Sequence, residues 1–390
     1  MSGTPSPADR SVVRAHASGP AEQAVPALLA ALDHGLAGRF AAAVLYFASS
    51  EYDPAVLAPA VSGHYRGAAV IGCSTAGEFT DQTIGVGGLS AVALPYGVLH
   101  GATAVLGHLD PDPGQGTAAA VRDLEHGIGG PLRALDPERH LGFILVDGMH
   151  GSEEQVNDML GNCAPLLDFV GGSAGDDFRF RTTWVSAGAE VSYHGVALLL
   201  CESEVPYRIV KSCSFAPTGR VLEVTEADVQ NRTVYEFDGR PAVAAYAEAI
   251  GADPAALGAE SWIEHPVGLM IEGRPWIRSP QQVLPDGGLR FYCQILPGMR
   301  VEVMRSTDLL AETSAALHAA RADLGGSVAG AVLFNCCLRR LEMDAKGLSE
   351  KFPSALAGIP SGGFHTYGES WFGHVNQTLT GVVFADTPRR

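Results

Sequence analysis

The sequence contains no Cys-x-x-Cys pair, no basic surplus and no apolar run near the roughly 20 residues that cross a bilayer. No glycine-rich loop is followed by Lys and Ser or Thr; Gly85–Gly88 is the nearest approach and lacks them. Each absence excludes something. Seven cysteines, an odd number in a chain of 390 residues, read as reduced thiols, and Cys336 and Cys337 are adjacent and poorly placed to bridge each other. The polar start Met1-Ser2-Gly3-Thr4-Pro5-Ser6-Pro7 has no apolar signal core. Together these predict a cytoplasmic protein with no direct membrane insertion. A formal net charge of −17 repels phosphate backbones and anionic lipid, which argues against nucleic acid.

What is present is a globular composition, 46% hydrophobic and 18% charged, in a chain long enough for two or three domains. It carries a turn of one style three times: Ile71–Phe79, Val170–Phe178 and Ile359–Glu369. Each follows a short apolar run, carries glycines and ends on Gly plus an acid. The surrounding order also recurs as strand, helix, strand, helix, strand, turn, strand. Asp53-Pro54 is one of its helix starts, with Asp53 as N-cap. This alternation predicts an α/β fold of mixed, mainly parallel sheets covered by helices and built from internal repeats.

Residues 1–9 read as a disordered lead and 10–204 as a first domain holding two copies. Residues 205–390 read as a second domain, with a strand-rich insert over 205–297 and a third copy over 298–390 that opens on the strand Val301–Met304. Trp184–Val191 and Gly195–Cys201 read as one β-hairpin.

The crevice past the carboxyl ends of strands is where ligands sit in open α/β sheets, so the turns are the first place to look for a site. Ser74, Thr75, Ser173 and the backbone at Gly77 can hydrogen-bond a small polar ligand. Glu78, Asp176, Asp177 and Glu369 can pair with an ammonium group, or simply cap backbone amides. Glu78, Asp177 and Glu369 should hold equivalent places and line a shared or matching cavity. Arg179, Arg181 and Arg339 can take a carboxylate through a planar fork. Cys73 and Cys336 would be nucleophiles only with a base beside them. No spacing ties His150, His194, His365 or His374 to either, so packed or pocket-lining thiols are the preferred reading over a hydrolase or transferase. His365, Glu369 and His374 make a weak metal set, because Gly368 argues against a helix there. No cofactor is expected.

Ile71–Phe79 resembles the hallmark of the FIST N-terminal domain (F-box and intracellular signal transduction), and Gly171–Phe178 resembles its second turn. Phe334–Arg339, Gly363–Glu369 and His374–Thr378 are similar to the FIST C-terminal domain, bringing Tyr367 and Asn376 into the candidate set. Arg340 stands where members more often carry glycine. The resemblance implies a sensor in signal transduction that binds a small molecule, such as an amino acid, without catalysis. Its output would be delivered by a separate signalling protein. A scaffold that docks a partner on its acidic surface is the remaining alternative.

Overall fold

The computed structural model describes residues 10–389; the lead expected over residues 1–9 lies outside them. Strands form three six-stranded sheets and one of eight strands. The first sheet runs Val13–Ser18, Gly88–Pro95, Ala41–Ser49, Ala69–Thr75, then the hairpin Val185–Ala187 and Glu190–Ser192. The second runs Leu99–His108, Gly195–Ser203, His140–Val146, Phe169–Ser173, then Glu369–Ser370 and His374–Val375. The third runs Tyr207–Cys213, Thr378–Ala385, Val328–Cys336, Ser361–Thr366, then Glu78–Thr80 and Ile84–Gly85.

The fold is mixed α/β, but its sheets are largely antiparallel, against the expectation of mainly parallel ones. Among the strands of the described residues, only Ala41–Ser49 with Ala69–Thr75, His140–Val146 with Phe169–Ser173, and Val328–Cys336 with Ser361–Thr366 pair in parallel. Helical crossovers do make successive strands point the same way. The closing strand of each sheet, however, inserts between the first and second strands, antiparallel to both, and removes a parallel neighbour.

Two further expectations are corrected. The hairpin after the second turn is Val185–Ala187 with Glu190–Ser192, whereas Gly195–Ser203 lies in another sheet. Arg300–Ser306 pairs with Phe215–Asp228 and Val267–Ile271 in the eight-stranded sheet. The strand that flanks the third sheet is Tyr207–Cys213 instead. Both errors have one cause: alternation along a strand reports which face is buried, and says nothing about which neighbour it pairs with.

The three sheets share one core. Phe47, Phe143, Phe334 and Phe364 meet there with no exposed surface. Phe47 stacks on Phe364 with ring centroids 4.7 Å apart, and Phe334 touches Phe47, Phe143 and Phe364 at 6.2, 6.2 and 5.9 Å. Truncating any of them to alanine removes about 3–5 kcal/mol. Amphipathic helices cover the outer faces. Ala21–Leu36 and Pro54–His64 place Leu28, Leu32, Leu57 and Val61 on the first sheet. Pro113–Ile128 and Glu153–Cys163 place Val121, Leu124, Val156 and Leu160 on the second. Asp53 caps its helix as expected, its carboxylate accepting from the Ala55 N–H at 2.9 Å.

One glycine recurs at the same register in the three parallel pairs: Gly72 opposite Tyr46, Gly171 opposite Ile144, Gly363 opposite Leu333. A Cβ there would fall 1.7 Å from the Ile144 carbonyl oxygen at Gly171 and 1.8 Å from the Leu333 carbonyl oxygen at Gly363. Backbone cannot yield as a side chain can. Gly171→Ala is therefore expected to cost about 3 kcal/mol by urea denaturation; an unchanged midpoint would refute the close approach.

Candidate functional site

The turns hand on to one another in a ring. Ala76 N–H donates to the His365 carbonyl at 2.9 Å and His365 N–H to the Gly77 carbonyl at 2.8 Å. Tyr367 N–H donates to the Ser173 carbonyl at 3.1 Å and Ser173 N–H to the Gly368 carbonyl at 2.8 Å. Gly175 N–H donates to the Ser74 carbonyl at 3.0 Å and closes the ring. Glu78, Asp177 and Glu369 each lie two residues beyond the donor of their turn, so they occupy matching places.

Their environments fix their roles. Glu78 accepts from the Thr75 hydroxyl through Oε1 and from the Gly88 N–H at 3.0 Å through Oε2. Glu369 accepts from the Thr366 hydroxyl at 2.5 Å, and from the Thr378 N–H and hydroxyl at 3.1 and 2.7 Å. Both are fully buried. Burial pushes the Glu78 carboxyl up to about 8, against the pull of Thr75 and Gly88, and pushes Glu369 well above the carboxylate range. These acids hold turns and line no large cavity. Asp177 is half-buried, sits at φ 55° and is raised by burial. Its N–H donates to the Thr75 carbonyl at 3.1 Å and its carboxylate accepts from the Ser49 hydroxyl at 3.0 Å, while Oδ1 has no partner among the described residues.

The other candidates are also accounted for. Asp176 gathers the N–H groups of Phe180, Arg181 and Thr182 at 2.9, 2.6 and 3.1 Å. Ser74 accepts from the Trp184 N–H, and Ser173 donates to Glu153 Oε1 at 3.2 Å. Cys73 and Cys336 are buried, and burial pushes both thiols well above their ordinary value. Arg179 pairs with Glu51 at the surface, a contact of little energetic consequence. Asn376 is the exception: it is fully buried, and neither Oδ1 nor Nδ2 of its amide has a partner among the described residues. Arg339 is buried and donates to Asn335 Oδ1 at 2.8 Å, Ser214 Oγ at 3.1 Å and Thr313 Oγ1 at 2.6 Å. Glu369 and His365 are thus committed to internal partners, Thr366 and Asn335. The described residues hold no group of three or more His, Cys, Asp or Glu set to bind a metal.

A cavity of about 450 Å³ opens elsewhere. Its walls come from the loop 148–151, Phe178 and Phe180 after the second turn, the segment 230–232, the stretch 290–292, and Cys337 and Tyr367. Of the ligand-binding candidates named from sequence, Tyr367 alone is among its lining residues; His150, considered only as a base, lines it too. The Tyr367 hydroxyl donates to Asp176 Oδ1 at 2.5 Å and accepts from the Phe178 N–H at 2.8 Å. Phe178 and Phe180 have φ of 61° and 50°, a left-handed backbone that bulky side chains rarely adopt. Asp176 and Tyr367 hold that strained loop in place. Arg340 donates to the Ala76 carbonyl at 2.5 Å and lies 5.4 Å over the Phe178 ring.

On the opposite wall, Arg232 donates to Glu153 Oε2 at 2.6 Å, Glu154 Oε2 at 2.5 Å and the Tyr292 carbonyl at 2.8 Å. Burial pushes the Glu153 carboxyl up, but the charge and hydrogen bond of Arg232 together with His374 hold it below its ordinary value. Arg290 also lines the cavity, and among the described residues it has no carboxylate partner; its Nε is buried and unpaired. The sequence marked none of these residues. They lie far apart in the chain and follow no period, and the positive φ of Arg232 (51°) is invisible in composition.

Fold and cavity define a mixed α/β protein whose interlocked sheets and inserted sheet enclose a small-molecule-sized pocket. The FIST N domain profile matches residues 42–240 and the FIST C domain profile residues 242–371, so the chain belongs to the FIST family, whose domains are associated with signal-transduction sensing. Uncharacterized protein MJ1623 of Methanocaldococcus jannaschii is 28% identical over 111 residues, 28% of this chain and 21% of that protein. The chain therefore aligns with about a fifth of that relative's length. The crystal structure of a chorismatase superposes with a TM-score of 0.35 at 11% identity, covering 96% of this chain and 98% of the other. That likeness carries no argument here. No helix among the described residues is long and apolar enough to cross a membrane.

Proposed function

We propose that this chain is a sensor without catalysis of its own, and that it binds a small molecule in the 450 Å³ cavity rather than among the glycine–acid turns. In this reading the three six-stranded sheets are one unit used three times, and the turn ring is the hub that locks the copies together. The cavity carries the proposal. Its volume lies within the range of small-molecule sites, and it combines aromatic walls with a few convergent polar groups. It is also shared by segments on either side of residue 241, where the two family profiles meet. A ligand touching both sides would bias how they sit, and a separate output protein would read that bias. The buried, proton-holding thiols of Cys73 and Cys336 support a non-catalytic role, since a nucleophile must reach its substrate as a thiolate.

Thermal-shift screening of a metabolite library, with amino acids as the first set, tests this. A ligand at 100 times its Kd adds about 2.7 kcal/mol of stability. Gln281→Trp fills the cavity from its wall and is expected to abolish the shifts. Shifts that survive Gln281→Trp undiminished would place binding elsewhere and refute the assignment.

A further inference from the structure

We infer that the cavity's ligand is a monocarboxylate with a flat apolar body, its carboxylate seated on Arg290; this rests on the cavity being the binding site. The first argument is a count of charges. Two guanidinium groups line the cavity. The charge of Arg232 is already taken by two glutamates, and it also donates to a backbone carbonyl. Arg290 makes no ion pair among the described residues, yet its Nε is shut away from solvent with no acceptor. An arginine cannot shed its proton to escape that cost, and its planar fork matches a carboxylate in two parallel bonds.

The count also limits the anion. Glu153, a buried carboxylate, lines the same wall. It would repel the second charge of a phosphate group, for which no second free guanidinium is present on the wall. Arg232 is outnumbered by Glu153 and Glu154, so Arg290 alone is left to pair with a ligand, and one negative charge is the most it can take.

The same residue argues against a need for an ammonium group. Glu153 has both oxygens engaged, Oε1 by Ser173 and Oε2 by Arg232. The charge of Glu153 is already balanced in part by Arg232, so an amino acid's ammonium would gain less there than beside a free carboxylate, and the deaminated acid is the better fit.

The body follows from the other wall. Phe180 stacks on Tyr367 with centroids 5.2 Å apart and planes 23° from parallel. Phe178 lies 6.1 Å from Tyr367 and 6.3 Å from Phe180, and Tyr292 faces the same space. Phe180 is 48% exposed, although apolar and held at a strained φ. A planar ligand would extend the stack and cover that face. Gln281 and Asn231 supply amides that can orient a polar substituent.

The experiment uses the full chain and matched probes: benzoate, phenylacetate and 3-phenylpropanoate, each beside its neutral amide, with L-phenylalanine as the aminated counterpart of the last. Calorimetric titration is expected to show at least one acid binding tenfold or more tightly than its amide, and 3-phenylpropanoate at least matching L-phenylalanine. Arg290→Gln is expected to remove that preference by weakening the acid alone, and Arg290→Lys to restore part of it. Among the described residues the Arg290 side chain has no hydrogen-bond or ion-pair partner to lose, so both variants should melt with the wild type. Equal binding of acid and amide, tighter binding of L-phenylalanine, or an Arg290→Gln protein that still prefers the acid would overturn the inference. Library hits that lack a carboxylate but vanish in Gln281→Trp would overturn it while leaving the cavity as the site. No Gln281→Trp-sensitive hit of any kind would overturn both.

Discussion

Glu78→Gln is expected to equal the wild type in stability near pH 5 and to exceed it by about 4 kcal/mol near pH 8.5, the difference growing across the interval. The sign follows from where the proton resides. In the folded chain the Glu78 carboxyl is raised to about 8, whereas its ordinary value is 4.5. Between those values the folded state keeps a proton that the unfolded state releases. The contribution is therefore full below about 4.5 and is lost as pH rises through about 8. Glutamine mimics the neutral carboxyl, offering an oxygen to the Gly88 N–H and an N–H to the Thr75 hydroxyl, and has no proton to surrender.

A difference between variant and wild type is needed because other groups pull the opposite way. Burial holds His365 and His374 below the ordinary histidine value, so they favour the fold as pH rises through about 6.5. Those terms cancel in the comparison. Glu369 is raised in the same sense as Glu78, so Glu369→Gln should behave alike. Urea midpoints measured from pH 5 to 8.5 decide the matter. Parallel curves for variant and wild type would mean that Glu78 is ionised in its turn and that the turn ring is not dry.

The second large effect is expected at Arg339. It is the largest side chain with no exposed surface, and its three acceptors are neutral oxygens on three separate segments. Ser214 stands where the chain leaves the third sheet for the eight-stranded one. Thr313 lies on the helix Leu309–Asp323, just after the chain returns, and Asn335 ends the strand Val328–Cys336. Asn335 continues the chain of bonds to His365 Nδ1 at 2.9 Å, and so to the turn ring. One guanidinium thus clamps the inserted sheet to the ring.

Arg339→Ala leaves a cavity and orphans three buried acceptors, for an expected loss of about 4 kcal/mol. Arg339→Lys should recover little, because an ammonium cannot reach three diverging oxygens from one point. Arg339→Leu separates the bonds from the packing. Replacing a buried charge by an apolar group is sometimes neutral, but only when the partners are replaced too. With Asn335, Ser214 and Thr313 left in place, a loss of about 2–3 kcal/mol is expected. A leucine variant as stable as the wild type would show that the clamp does not hold the fold together.

Much of the local structure was legible in the chain. The apolar steps Leu28, Leu29, Leu32 and Leu36 lie in the helix Ala21–Leu36, and Asp53 caps the helix that follows it. Ala41–Ser49 is buried at every position, as an all-apolar run implies. The turns were also found, and with them the matching places of Glu78, Asp177 and Glu369. Their chemistry was not legible. A Gly-Glu at a strand end reads the same whether the carboxyl faces a ligand or a threonine hydroxyl three residues back. Burial decides between the two, and burial is a property of what packs above the turn.

Periodicity and local backbone chemistry were enough to locate strands, helices and glycine turns, and the motifs were enough to point to the family. Which strands are neighbours, that a hairpin from another part of the chain finishes each six-stranded sheet, and where the cavity lies emerge only from the folded chain. The cavity walls join residues as distant as His150, Arg290 and Tyr367. The physical reason is that strand pairing and cavity formation satisfy backbone and charge across the whole molecule, while a pattern along the chain records only which way each side chain must face. Arg290 shows the difference: in sequence it is one arginine in an insert strand, and in the fold it is the cavity's unpaired cation.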